Sequence, residues 1–417
     1  MGWKHPAWRM TAVASTALLA AGSFTTVAGL ITDSLVAERG WSRGAIGSGV
    51  AIGMVLYGVV APFSAAMTDR FGLRCVTAAA LVLLAVAASL TVTAPSVVWF
   101  VVWWGVLAGL GTGAVTMVFG ATVAQRWFVR RIGLASGILT AASVVGQFAM
   151  LPVLSAVMDR VGWRGPVLVC GALAAGAAIL VGIVLREHPR DVGVQRYGAT
   201  ADDIAPARED PLRRTFSVAM ACIGSPRFWT LAWMFLLCGA TTNGLMWSHF
   251  TPAAADHGMP PTAASSLLAV IGVANIAGTV GAGWLTDRVD ARAVLAVFFC
   301  ARGVTLAVLP FALGARVDPA LIGFAVGFGL LDVATVPPTL ALCRRYFGPD
   351  AAVVFGWVNV FHQVGAGLMA LLAGLTRDVE GSYTPIWLMA AHLCVCAAIL
   401  GVLAGRERRV AVVACRS

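Results

Sequence analysis

Residues 65–74 read Ala-Ala-Met-Thr-Asp-Arg-Phe-Gly-Leu-Arg, and residues 283–292 read Gly-Trp-Leu-Thr-Asp-Arg-Val-Asp-Ala-Arg. The shared Asp69-Arg70 returns as Asp287-Arg288, 218 positions later. The same register extends well beyond the two loops. Gly105, Gly109 and Gly111 recur as Gly323, Gly327 and Gly329; Arg126-Trp127-Phe128 recurs as Arg345-Tyr346-Phe347; Asp159 and Gly162 recur as Asp378 and Gly381. Glycine matches alone mean little in a chain holding 46 glycines. The charged and aromatic matches, held in one register, carry the repeat.

Composition places the repeat in a membrane. The chain is 59% hydrophobic and 12% charged, with mean hydropathy +0.86, against about a quarter charged residues in soluble domains. Apolar runs near 20 residues span a bilayer as helices. They predict an all-α polytopic protein with twelve spans: 11–36, 44–67, 73–94, 97–124, 133–157, 165–185, 229–250, 261–286, 292–313, 319–343, 351–374 and 383–405. Tandem repeats of a polytopic unit are the architecture of a secondary transporter.

The arginines orient these spans. With both termini cytoplasmic, the inner segments hold 22 of the 29 Lys/Arg residues, as the positive-inside rule requires. The net charge of +10 therefore reads as anchoring to an inner-membrane lipid surface and not as nucleic-acid binding. The expected organisation is a six-helix bundle over 1–185, a cytoplasmic linker over 186–227 and a second bundle with a short tail over 228–417. Within the linker, Leu212, Phe216 and Met220 are spaced for an interfacial amphipathic helix. The nine cysteines lack paired spacing, so neither disulfides nor a metal is expected. With no phosphate loop and no nucleophile elbow either, neither a cofactor nor an enzyme is expected.

The loops at 65–74 and 283–292 resemble the signature Gly-x-Leu-x-Asp-Arg-x-Gly-Arg-Arg of the major facilitator superfamily. Ala65 stands for the leading Gly in the first copy and Asp290 for the later Gly in the second; Arg74 and Arg292 close them. The resemblance implies two six-helix bundles around a central cavity. It implies also that Asp69, Arg70, Arg74, Asp287, Arg288 and Arg292 form a gating motif, with the acids capping a helix or pairing across the cytoplasmic seam. A closer resemblance is to the branch of monocarboxylate transporters and oxalate:formate antiporters. It rests on Gly40-Trp41-Ser42-Arg43, Arg126-Trp127-Phe128, Arg130 through Gly137 and Gly381-Ser382-Tyr383. Carboxylate carriers of that branch resemble one another in a span-eight arginine four residues after an acid. Here Asn275 and Thr279 stand there, so that clamp is missing. The drug:proton antiporters are a poorer match: Gly137 and Gly146 fit, but Met150-Leu151 replace Gly-Pro, and Gly105 stands at the span-four arginine.

Gly105, Gly109 and Gly113, four apart in span four, form a groove for a neighbouring helix, and Gly323 and Gly327 repeat the pattern in span ten. Pro337-Pro338 predict a kink there. Three ionisable residues break the repeat: Arg302 in span nine against Leu83, Asp332 in span ten against Ala114 or Gly113, and His362 in span eleven against Ser143. An intramembrane charge costs several kcal/mol unless partnered and marks function by default. Arg302 and Asp332 read either as a buried structural pair, as a proton-coupling acid with its tuning arginine, or with Arg302 as a substrate contact. His362 reads as an anion or proton site or as an interior histidine. Gln363, Gln147, Asn243 and Asn275 complete the substrate candidates, while Asp33 and His249 sit near outer span ends. The expectation is a carrier, most simply monomeric, of a small organic anion, with a proton as candidate coupling ion. Efflux of amphipathic compounds is the alternative, and a non-transporting membrane receptor the third reading.

Overall fold

A computed structural model of the chain describes residues 5–115, 117–199 and 211–403. Among them, eleven helices are long and apolar enough to cross a membrane alone. They are Pro6–Arg39, Arg43–Phe71, Leu73–Thr91, Val97–Trp127, Leu134–Val161, Arg164–Val184, Pro261–Thr286, Ala291–Ala312, Pro319–Phe347, Ala351–Glu380 and Thr384–Leu403. Pro226–Asp256, bent by 100° from the helix before it, supplies a twelfth. These are spans one to twelve in chain order, with Pro226–Asp256 as span seven. The all-α, twelve-span architecture expected from hydropathy is the observed one. The β pairing found among the described residues is an isolated bridge between Phe128 and Tyr197.

Glycines set how closely the spans approach. A Cβ on Gly105 would meet the Gly49 carbonyl oxygen at 2.8 Å, one on Gly109 the Gly53 Cα at 2.8 Å, and one on Gly113 the Val60 Cβ at 2.8 Å. Spans two and four thus touch backbone to backbone. Gly323 and Gly327 differ: a Cβ on either meets nothing within 4 Å. The expected groove in span ten is made by Gly329 instead, whose Cβ would meet the Ile271 carbonyl oxygen of span eight at 2.6 Å. Their repeated register placed Gly323 and Gly327 on the wrong side of their helix for packing. Gly109→Leu should lower stability by about 1–3 kcal/mol, the cost of overpacking. A thermal melt in detergent, with Gly327→Leu unchanged beside it, checks this.

The two halves meet along spans two and eleven. A Cβ on Gly47 would strike the Ala370 carbonyl at 2.8 Å, one on Gly58 the Gln363 Cβ at 2.6 Å, and one on Gly367 the Ala51 carbonyl at 2.7 Å. Span one reaches span seven at Gly29, 2.6 Å in the same sense from the Ser248 carbonyl. Span five reaches span eight where Phe148 covers Gly272.

The linker lies on one face, termed here the linker face. Tyr197 donates its N–H to the Trp127 carbonyl (2.8 Å), and Arg196 donates to the carbonyls of Gln125 and Phe128 (3.1 Å each). The expected amphipathic segment is a helix, Pro211–Ile223. It buries Thr215, Val218 and Cys222 and exposes Phe216, Met220 and Ile223; the Leu212 side chain lies outside the described residues. Phe216 touches Phe63 of span two, and Trp357 of span eleven donates its indole N–H to the Thr215 carbonyl. The helix therefore bridges the halves at this face.

Candidate functional site

Span ten breaks in its middle, for reasons legible in its chemistry. Pro337 and Pro338 lack the N–H groups that would bond one turn back. The chain tightens to a 3-10 turn over Val333–Thr335, where Val336 donates to the Val333 carbonyl rather than to that of Asp332. At this break the carbonyls of Leu331 and Asp332 both accept from the Arg302 guanidinium, at 2.6 and 2.5 Å. Arg302 is 0% exposed and its other terminal nitrogen donates to the Cys238 sulfur at 3.2 Å.

This corrects the expected Arg302–Asp332 pair. The guanidinium secures the backbone of the break and forms no ion pair with the Asp332 carboxylate; it is also too deeply buried to touch a solute. The carboxylate is held by neutral donors instead. Asn275 gives its amide to Asp332 Oδ2 at 2.8 Å and accepts the Val333 N–H at 2.9 Å, while the Trp247 indole donates to the same Oδ2 at 3.1 Å. Asp332 is 2% exposed, and its Oδ1 has no hydrogen-bond partner among the described residues. The same holds for His362 Nδ1 on span eleven, within electrostatic reach of Asp332.

The remaining candidates scatter. Gln363 is buried against Gly58. Gln147 and Asn243 are half-buried, each in a π-helical stretch, Val145–Ala149 and Ala240–Trp247. The Gln147 carbonyl accepts from Thr26 (2.6 Å) and that of Asn243 from Ser248 (2.8 Å). His249 is buried, bonded to the Ala370 carbonyl at 2.8 Å. Thr335, whose hydroxyl lies 3.3 Å from the Cys238 sulfur, and Trp247 carry no spacing signal in the sequence, and Cys238 reads there only as a small core residue.

On the linker face the loop motifs work within each half. Asp69 pairs with Arg126 at 2.5 Å, and Arg126 with Glu187 at 3.1 Å. Glu187 also accepts the N–H groups of Leu73 and Arg74, at 2.7 and 2.9 Å, and so caps span three. Gly72 between them has φ +90°, and a Cβ there would lie 2.8 Å from that carboxylate. The expected roles of Asp69, capping or pairing across the seam, are thus divided: pairing stays inside one half and the cap belongs to Glu187.

In the second copy Asp287 does not take the equivalent arginine. Asp290, three positions on, receives both Arg292 (2.7 Å) and Arg345 (3.5 Å). Hydrogen bonds from Arg292 hold the Asp290 carboxyl well below the usual carboxylate range. Arg288 folds over Trp284 at 4.1 Å, and Arg70 lies over Phe71 at 5.4 Å. The Arg74 side chain is exposed.

The opposite face carries ion pairs that do cross the seam. Arg43, starting span two, pairs with Asp33 of its own half (2.6 Å) and lies 3.7 Å from Asp256 of the other. Asp256 is held by Arg377. Asp378 of span eleven accepts the backbone N–H groups of Arg43 and Gly44, at 3.1 and 2.7 Å. One half thus caps a helix of the other.

Comparison with known proteins fits this geometry. The family model of the Major Facilitator Superfamily matches residues 13–252 and 236–414. Monocarboxylate transporter 13 of Bos taurus is 27% identical over 349 residues, covering 82% of this chain and 75% of that protein. The MFS-type transporter YcxA of Bacillus subtilis is 26% identical over 345 residues, covering 82% of this chain and 81% of that one. Among solved structures, the nucleoside transporter NupG superimposes with TM-score 0.76 at 12% identity, over 96% of this chain and 100% of that chain. The inward-open xylose transporter XylE from E. coli gives 0.73 at 16% identity, over 97% of each. At such identities the solved structures speak for the fold alone.

Proposed function

The chain belongs to the Major Facilitator Superfamily, and we propose that this multi-pass transporter carries a small organic anion together with a proton by alternating access. The observation that carries this reading is the Asp332 carboxylate, buried at a helix break, held by neutral donors on Oδ2 and, among the described residues, without a hydrogen-bond partner at its buried Oδ1. A buried charge without an ion-pair partner costs several kcal/mol, so a proton bound and released at Oδ1 changes the energy of the whole break. His362 supplies the candidate cationic group for the anion. The names of the monocarboxylate transporters that the chain resembles favour the same substrate class.

The Arg excess favours a cytoplasmic linker face in a bacterial-type inner membrane. With that orientation the sealed seam at Arg43, Asp256 and Asp378 is the outer one. Two bundles, 1–185 and 228–417, would rock about the seam, joined by the linker at 186–227.

A thermal-shift panel of small carboxylates, nucleosides and lipophilic cations tests the substrate class. A solute at 100 times its Kd should stabilise the fold by about 2.7 kcal/mol. Stabilisation by a carboxylate, lost in His362→Ala, is expected. Stabilisation by lipophilic cations alone would replace this reading with efflux of amphipathic compounds.

A further inference from the structure

Two π-helical stretches, one from each half, meet at the site. Val145–Ala149 of span five contributes Phe148, and Ala240–Trp247 of span seven ends at Trp247. Their rings stack with centroids 3.8 Å apart and planes at 29°. Both residues are buried, at 4% and 3% exposure. Such π segments recur where helices serve function, because their wider turn is easily exchanged for an α turn. Trp247 is also the residue whose indole N–H reaches Asp332 Oδ2 at 3.1 Å, and its carbonyl lies against Gly29 of span one. One residue therefore touches the buried carboxylate and the aromatic ring of the opposite half through its side chain, and span one of that half through its backbone.

We infer that Trp247 is the positioning residue through which the proton on Asp332 sets the relation of the two halves. This rests on the proton-coupling role of Asp332 proposed above. A hydrogen bond to a carboxylate is about twice as strong as one to a neutral acid. With Asp332 charged, the indole is held and keeps Phe148 stacked; with Asp332 neutral, the hold weakens and the stack is free to part. The charged and titratable groups facing Asp332 are Arg302 of span nine and His362 of span eleven, with Cys238 of span seven and Cys394 of span twelve beside Arg302. Arg302 is committed to backbone carbonyls, which leaves the indole as the link across the seam.

Spin labels at Val161→Cys and Val379→Cys, both exposed at the opposite face on different halves, would report its opening by distance measurement. The background would replace Cys75, Cys300, Cys396 and Cys415 by Ser. In the otherwise native chain, the long-distance population should rise at least threefold between pH 8 and pH 5.5. Trp247→Phe keeps the stack but removes the donor and should flatten that response, as should Asp332→Asn. Phe148→Leu removes the partner ring and should flatten it too, which keeps the test intact if Trp247→Phe does not fold. A full pH response in Trp247→Phe beside a flat Asp332→Asn would overturn the relay and leave the coupling role standing. A full response in Asp332→Asn, or none in the native chain, would overturn both.

Discussion

Asp332→Asn should abolish uptake driven by a pH gradient in proteoliposomes while leaving exchange at equal pH measurable. Asn preserves the shape of the side chain and its carbonyl oxygen, so it can still accept from Asn275 and Trp247 as Oδ2 does now. What it cannot do is take up or lose a proton. The Arg302 contacts at the break go to the carbonyls of Leu331 and Asp332 and not to the carboxylate, so the substitution leaves no arginine stranded. That separates this variant from one breaking a buried ion pair, where about 3–5 kcal/mol of stability would go with the partner. The expected signature is a native melting temperature with gradient-driven accumulation reduced to the level of protein-free liposomes. Retention of full gradient-driven uptake would end the coupling role. Arg302→Ala should behave in the opposite way. It strips donors from two buried carbonyls, each costing about 1–3 kcal/mol when unmet, so it should melt early whatever it does to transport.

The fold was legible because bilayers impose it. Apolar runs of the right length, an arginine bias between alternate loops and a repeat in one register leave little freedom in span count. The position of Asp332 was legible too, since a lone carboxylate in a span draws notice. Its partners were not. Sequence distance says nothing about which donor meets which acceptor, and the natural guess joined the two opposite charges. The structure gives Arg302 to the backbone carbonyls of Leu331 and Asp332, where span ten tightens into the 3-10 turn at Val333–Thr335, a consequence readable only once that turn is seen. Repetition misled in the same way at two other places. Gly323 and Gly327 repeat Gly105 and Gly109 yet face open space, and Asp287 repeats Asp69 while Asp290 receives the arginine. A repeat preserves helix length and order more faithfully than it preserves the rotation of a helix or the partner of a side chain.

The second large effect is expected at the opposite face. Asp378→Ala should shift the protein toward the state open on that face by roughly 5–30-fold, the consequence of losing one to two kcal/mol. The first N–H groups of any helix lack internal partners, and a side-chain cap on them is worth about 0.5–2 kcal/mol. Span two takes part of its cap from within, where Ser42 accepts the Ala45 N–H at 3.1 Å. The N–H groups of Arg43 and Gly44 are met by Asp378 of the other half. That part of the cap exists only while the halves are closed there, so its energy counts wholly toward the closed state. The repeat provides the control. Asp159 is the counterpart of Asp378 in the first half, and the helix it would cap begins at Pro260-Pro261, where Pro261 has no N–H to give. Among the described residues Asp159 accepts no hydrogen bond, and Asp159→Ala should leave the distribution unchanged. Distance measurement between labels at residues 161 and 379 reads both variants. Equal shifts in the two would mean that simple loss of surface charge, and not the cap across the seam, controls opening. A shift confined to Asp378→Ala would place the outer latch at the junction of spans two and eleven, where the backbones already touch at Gly47 and Gly374.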